Sequence, residues 1–258
     1  MSSSAEVFAV PQPVSCATVS FDGTRIAFDI YGQPSRSVVL VVPGFWRDRR
    51  HAAMQRLAGL INVNGLAAAV CDLRGHGESE GVFGFNLSEH YDVAAVCEEL
   101  IRGRSFESVT LLGFSYGGAI AISTAARHSL PIASLLLISP VADFGMVSPR
   151  INPFTLHRHI ELGQALRRPR FEWRIGRPKL RALDDMAAVH VPVCFIHVKH
   201  DWLIDHSHST ALYALANEPK ELHIIDIPGN YHADRMFNVA AAQVDPIISA
   251  FLSRYGRK

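Results

Sequence analysis

The chain is most constrained by Gly113-Phe114-Ser115-Tyr116-Gly117, set between the apolar run Val109-Thr110-Leu111-Leu112 and the small-residue stretch Gly118-Ala119-Ile120-Ala121-Ile122. A serine on a sharp turn from a buried strand into a helix is forced into an unfavourable backbone conformation, which pushes its Oγ out above the sheet. Glycine two positions before and two after suits such a turn, because strand and helix backbones pass too close there for a side chain. The pentapeptide alone recurs by chance. With a strand before it and a helix after it, Ser115 becomes a candidate nucleophile; the competing reading is a glycine-rich turn with a capping serine.

The order of the remaining elements says what kind of sheet that strand belongs to. Val14 to Phe21 and Thr24 to Tyr31 alternate around Asp22-Gly23, a two-residue hairpin signal. Val38 to Val42 is a continuous apolar run ended by Pro43-Gly44, as expected of a strand buried on both faces. Helical periodicity over Arg50 to Val63 stops near Asn64-Gly65; Ala67 to Leu73 reads as a strand, and Ser88 to Ile101 as a helix capped by Ser88. After the serine turn and a helix to about His128, three apolar runs, Leu135 to Ser139, Val193 to Val198 and Leu222 to Ile227, read as strands, and a helix from about Asn238 to Arg254 follows. A hairpin followed by strand–helix alternation predicts an α/β architecture: a mostly parallel eight-stranded sheet with helices on both faces. Ligands of such sheets sit beyond the carboxyl ends of the strands.

With 258 residues, 48% of them hydrophobic, the chain can bury a large core. A formal charge of +1 gives no global field favouring nucleic acid or a membrane surface, and no run approaches the ~20 apolar residues of a membrane-spanning helix. The histidines show no H-E-x-x-H or similar metal spacing, and Cys16, Cys71, Cys97 and Cys194 form no C-x-x-C pair. Met1 to Glu6 lacks a basic and apolar leader; with unpaired cysteines in strand-like runs, a cytoplasmic location is expected. The oligomeric state is left open.

A serine hydroxyl needs a base within hydrogen-bond reach, and the base needs an orienting carboxylate. In this sheet type the chain order is nucleophile, acid, histidine. The acid is expected after Val193 to Val198, where Asp201 stands at the loop position; Asp205 competes, but fits better as a cap for the helix beginning near His206. The base is expected after Leu222 to Ile227, where Pro228-Gly229-Asn230-Tyr231-His232 presents His232. Two backbone amides must converge on the oxyanion of an acyl-transfer intermediate. One is that of Tyr116; the other belongs to the loop Pro43-Gly44-Phe45-Trp46, with Phe45 first and Trp46 second.

These residues resemble the α/β-hydrolase superfamily along nearly the whole chain. Asp72-Leu73-Arg74-Gly75-His76-Gly77-Glu78-Ser79 is similar to its D-x-R-G-x-G-x-S segment, and the nearest likeness is to monoacylglycerol-lipase-like, serine-aminopeptidase-like and feruloyl-esterase-like members with compact lids. The resemblance implies an α/β-hydrolase fold, Ser115 as nucleophile, Asp201 as acid, His232 as base, Phe45 and Tyr116 as oxyanion donors, and no cofactor. Many members carry His-Gly at the oxyanion loop, where this chain has Pro43-Gly44. The Asp72 to Ser79 segment is read as a structural turn with no chemical role.

The core domain is then 1–140 and 191–258, and 141–190 is a lid insertion. Residues 150–181 hold nine Arg or Lys against two acids, which leaves the rest of the chain at −6. Over a cleft, such a lid would concentrate anionic substrates; otherwise it is a solvated face. Phe144, Met146, Phe154, Leu156, Leu162, Leu166, Phe171 and Trp173 would form either core or an acyl pocket. The expected function is a serine hydrolase cleaving a small or medium carboxylic ester through an acyl-enzyme, its partner a small-molecule ester. A thioesterase or amide hydrolase uses the same parts, and carbon–carbon bond hydrolysis is a remoter option. Haloalkane or epoxide chemistry would need an aspartate at 115. A non-catalytic ligand-binding homologue, or a structural protein using the basic lid, are the readings from other classes.

Overall fold

A computed structural model describes residues 9–32, 35–85, 88–146, 169–172 and 181–257 of the chain. Their eight strands form one sheet in the order β1-β2-β4-β3-β5-β6-β7-β8: β1 Val14–Val19, β2 Arg25–Tyr31, β3 Ser37–Val42, β4 Ala67–Cys71, β5 Ser108–Phe114, β6 Ile132–Ile138, β7 Val193–Val198 and β8 Lys220–Ile225. The β1–β2 and β2–β4 pairings are antiparallel and the five others parallel. This is the mostly parallel sheet expected from the strand–helix alternation, and it agrees with the α/β-hydrolase fold that the resemblance implies.

Strands β3 to β7 are buried at every position, which is why they read as unbroken apolar runs. Alternate side chains feed two cores. Val38, Leu40 and Val42 face α2 (Glu89–Glu98) and α3 (Tyr116–Arg127), represented by Val93, Val96, Ala119 and Ile120. Val39 and Val41 face the other layer, with Leu57 of α1 (Ala52–Val63) and Val244, Ile248 and Phe251 of a C-terminal helix. The short α4 (Ala182–Met186) and α5 (Ser207–Leu215) lie on the α2/α3 side, where Met186 and Leu212 join the first core. Cys71, Cys97 and Cys194 are buried free thiols, and Cys16 is half-buried.

Three local expectations are corrected. The first hairpin has a three-residue loop, Phe21-Asp22-Gly23: Gly23 N–H donates to the Ser20 carbonyl (3.0 Å) and Ser20 N–H to that of Thr24 (2.8 Å). A two-residue type I′ loop needs positive φ at both central residues, and of Asp22 and Gly23 only the glycine has it. Ser88 makes no side-chain capping bond, because it lies at φ −137°, ψ −14° rather than in the extended conformation of an N-cap. The buried Glu89 carboxylate instead accepts from the Gly84 and Ser88 amides. The last helical stretch is two helices, α6 (Asp234–Val239) and α7 (Ala241–Tyr255), so the chain turns once more just after His232.

Most of 141–190 lies outside the described residues, including Phe154, Leu156, Leu162, Leu166, Trp173 and seven of the nine basic residues. The two described basic residues are engaged locally. Arg170 donates to the Gly81 and Ser79 carbonyls, and Arg181 pairs with Asp143 at 2.8 Å. Residues 170–172 add a short parallel bridge to Phe83, which fastens them beside the Asp72 to Ser79 turn. Phe144 packs on Tyr116 and Phe171 on Phe45, while Met146 is 38% exposed.

Candidate active site

The carboxyl ends of β3, β5, β7 and β8 open onto one rim, and the candidate residues stand on the loops that leave it. Ser115 follows β5 directly, with φ 51° and ψ −117°. Such a conformation costs a non-glycine residue about 1–3 kcal/mol, held here by close packing on both sides. A Cβ on Gly113 would lie 2.5 Å from the Gly118 Cα, and one on Gly117 would collide with the carbonyls of Val42 and Pro43. The flanking glycines are therefore required by helix α3 crossing the ends of β3 and β5.

His232 stands on the turn before α6, next to Ala233, whose angles (φ 43°, ψ −108°) nearly repeat those of Ser115. Its Nε2 is 2.8 Å from Ser115 Oγ and its Nδ1 2.8 Å from Asp201 Oδ2. A carboxylate only accepts, so Nδ1–H donates to Asp201 and Nε2 is the acceptor for the Ser115 hydroxyl. Ser115, His232 and Asp201 thus form one chain, although 117 positions separate the outer pair Ser115 and His232.

Asp201 is held from three directions. Its Oδ1 accepts from the Leu203 and Ile204 amides, both at 2.9 Å, and its Oδ2 faces His232. Behind it lies the fully buried His197. The Ile204 carbonyl, 2.9 Å from His197 Nε2, can only accept, so that nitrogen carries the proton; it is also 3.5 Å from Asp201 Oδ2. Burial alone would raise the Asp201 carboxyl, but His232 and His197 outweigh it and hold it well below the usual carboxylate range. Asp205 is placed elsewhere. Its Oδ1 accepts from the Ser207 amide at the start of α5, and its side chain is 62% exposed.

In the loop after β3, Arg47 N–H donates to the Gly44 carbonyl (3.1 Å), and Trp46 takes φ 72°. The Trp46 amide donates to His76 Nε2 at 3.1 Å, which removes it as the second candidate oxyanion donor. Among the described residues, the Phe45 and Tyr116 amides are donated to no protein acceptor. Tyr116 opens α3, where the exposed N–H groups carry the positive end of the helix dipole.

A cavity of about 140 Å³ opens onto Ser115 and His232, walled by Phe45, Trp46, Met54, Phe114, Trp202 and Leu203. Arg47 and Asp234 pair at 3.1 Å on its wall. A second cavity, of about 260 Å³, lies over Arg49, Asp72, Glu78 and Arg170 and is lined by none of the three linked residues. Among the described residues one trio, Cys194, Glu221 and His223, is close enough to share a metal ion. Burial pushes that thiol far up, and Glu221 is paired with Arg254 at 2.7 Å.

Sequence reading passed over His76, His197 and the Arg47–Asp234 pair. The signal available for His76 was its place inside the Arg74-Gly75-His76-Gly77 turn, next to the strand that ends at the oxyanion loop.

Residues 33–176 match the model of a family described as serine aminopeptidase, S33. No curated protein matches the sequence. Among solved structures the chain is similar to the esterase Pf2001 of Pyrococcus furiosus, with TM-score 0.77 at 17% identity over 95% of this chain and 91% of that one. It is also similar to the esterase RhEst1 of Rhodococcus sp. ECU1013, with TM-score 0.72 at 19% identity over 94% and 99%. The α/β hydrolase GrgF of Penicillium sp. sh18 gives TM-score 0.77 at 14% identity over 95% and 99%. At these identities the likeness is one of fold.

Proposed function

The chain belongs to the serine aminopeptidase (S33) family of α/β-hydrolases, and from that premise we propose that it cleaves a small or medium carboxylic ester through an acyl-enzyme. The observation that carries this reading is the unbroken chain Ser115 Oγ–His232–Asp201, with both links at 2.8 Å, at the mouth of an apolar cavity.

Ser115 Oγ attacks the ester carbonyl carbon while His232 Nε2 takes its proton. The carbonyl oxygen becomes an oxyanion, which the Phe45 and Tyr116 amides bind. His232 returns the proton to the departing alcohol, leaving an acyl group on Ser115. Water then attacks that ester, giving up a proton to His232, and the carboxylic acid leaves as Ser115 is reprotonated. Asp201 stays ionised throughout, orients the imidazole and stabilises its cation.

The cavity supports a small substrate: its volume of about 140 Å³ is comparable to that of a site that takes a benzene-sized group, which suits an ester with a short acyl chain or one ring. In the same reading residues 141–190 form the lid. The bridge between Phe83 and Phe171, and the packing of Phe171 on Phe45, support that placement.

The test is a chain-length series of p-nitrophenyl esters run on wild type and Ser115→Ala, together with a fluorophosphonate probe. Short esters should turn over and Ser115 should be the labelled residue. Serine replacement should lower kcat by about 10⁴-fold or more with the fold intact. Turnover by Ser115→Ala near the wild-type rate would remove the mechanism.

A further inference from the structure

We propose that His76 is a positioning residue for the oxyanion loop: its imidazole fixes the Phe45–Trp46 peptide plane and so holds in one conformation the turn whose preceding peptide, Gly44–Phe45, carries the N–H that binds the oxyanion. This rests on the reading above, in which Phe45 supplies one of the two donors.

The loop has an internal reason to move. Residues 44–47 close a turn through the Arg47 N–H to Gly44 carbonyl bond, with Trp46 at its third position and φ 72°. That position of a type II turn ordinarily takes glycine or asparagine, because an L side chain is strained there. Rotating the peptide between Phe45 and Trp46 would give the type I arrangement, where Trp46 has negative φ and the strain is gone. The same rotation exchanges the directions of the Trp46 N–H and the Phe45 carbonyl, in the peptide adjoining the one whose N–H must bind the oxyanion.

His76 opposes that rotation. Its Nδ1 is 3.1 Å from the Arg74 carbonyl, which can only accept, so Nδ1 carries the proton and Nε2 presents a lone pair. That lone pair faces the Trp46 N–H at 3.1 Å. After a rotation it would face the Phe45 carbonyl oxygen instead, exchanging a hydrogen bond for a repulsion. The ring is wedged edge-on between Phe45 and Phe83, with centroids at 5.5 and 5.0 Å, and is 3% exposed. Burial lowers its pKa to about 4, so the imidazole is a neutral acceptor near neutral pH. The loop cannot supply this restraint itself: Pro43 has no N–H, and Gly44 has no side chain.

The experiment compares wild type with His76→Phe, which keeps a ring but no acceptor, and His76→Gln, which restores an acceptor. On a short p-nitrophenyl ester, His76→Phe should lower kcat by about 10- to 100-fold, less than the loss of a whole oxyanion donor, with KM little changed. His76→Gln should recover most of that rate. Affinity for a trifluoromethyl ketone, whose hemiketal oxyanion occupies the hole, should fall in His76→Phe by a similar factor, while the unreactive methyl ketone binds as before. A folded His76→Phe with wild-type kcat, a glutamine variant as impaired as the phenylalanine one, or an unchanged trifluoromethyl ketone affinity would each overturn the assignment. Should His76→Phe not fold, ¹⁵N NMR of the wild-type imidazole decides: an unprotonated Nε2 coupled to the Trp46 amide supports the clamp, and a protonated Nε2 at neutral pH overturns it. Inactive wild type defeats the hydrolase reading and this one together, whereas active wild type with unimpaired His76→Phe defeats only this one.

Discussion

Ser115 lies at φ 51° with glycine at 113 and 117, while Trp46, in the loop that faces it, lies at φ 72° with a large ring on the strained residue itself. In the proposed reading both turns offer a backbone amide to the same oxygen, but the first is fixed by its own residues. Gly113 and Gly117 let α3 lie against the ends of β5 and β3, and close packing leaves Ser115 no other conformation. The second is restrained from outside, by a histidine 30 positions away. A locally determined turn tolerates changes in its surroundings and fails when its own glycines change. An externally clamped turn does the reverse.

The largest effect tests the frame that both turns serve. Asp201→Asn should lower kcat by about 10⁴-fold through the wrong His232 tautomer, whereas Asp205→Asn, which keeps an acceptor for the Ser207 amide and touches none of the linked residues, should leave kcat near wild type. Steady-state kinetics on one short ester reads both; equal losses would place the acid elsewhere.

The next bears on the clamp. Burial holds His76 at about 4 against its ordinary value near 6.5. Between those values the unfolded chain binds a proton that the folded chain does not, so stability falls as pH drops from about 6.5 to about 4. The share belonging to this residue is on the order of 3 kcal/mol over the full window. Denaturant unfolding at several pH values should show a shallower slope for His76→Gln, and an identical slope would mean that His76 is already protonated in the fold.

A smaller change distinguishes the turns directly. Gly117→Ala, whose Cβ meets the Val42 and Pro43 carbonyls, should cost about 1–3 kcal/mol of stability and lower kcat as β3 and the elbow are pushed apart. Trp46→Gly should do the opposite by under about 1 kcal/mol, since glycine accepts positive φ without strain. In that background, adding His76→Phe should cost less kcat than it does alone.

The fold was largely legible because its signals are local. Val38 to Val42 and Val193 to Val198 are unbroken apolar runs, as strands buried on both faces must be. What was misread depended on backbone angles: Asp22 does not take the positive φ of a two-residue hairpin, and Ser88, at ψ −14°, does not take the extended conformation of a capping residue. Ser115, Asp201 and His232 were each legible as the polar residue leaving a strand, which says where a side chain starts but not what it reaches.

The amino-acid order by itself placed Ser115 between glycines at 113 and 117 on a turn from a buried strand into a helix, and put the polar residues at the strand ends along one rim of a parallel sheet. Only the tertiary structure decided that Asp201 and not Asp205 meets His232, and that the Trp46 amide donates to His76. The reason is directional: a hydrogen bond needs atoms within about 3 Å and correctly aligned, and residues distant in sequence acquire that alignment only when the sheet brings their loops together.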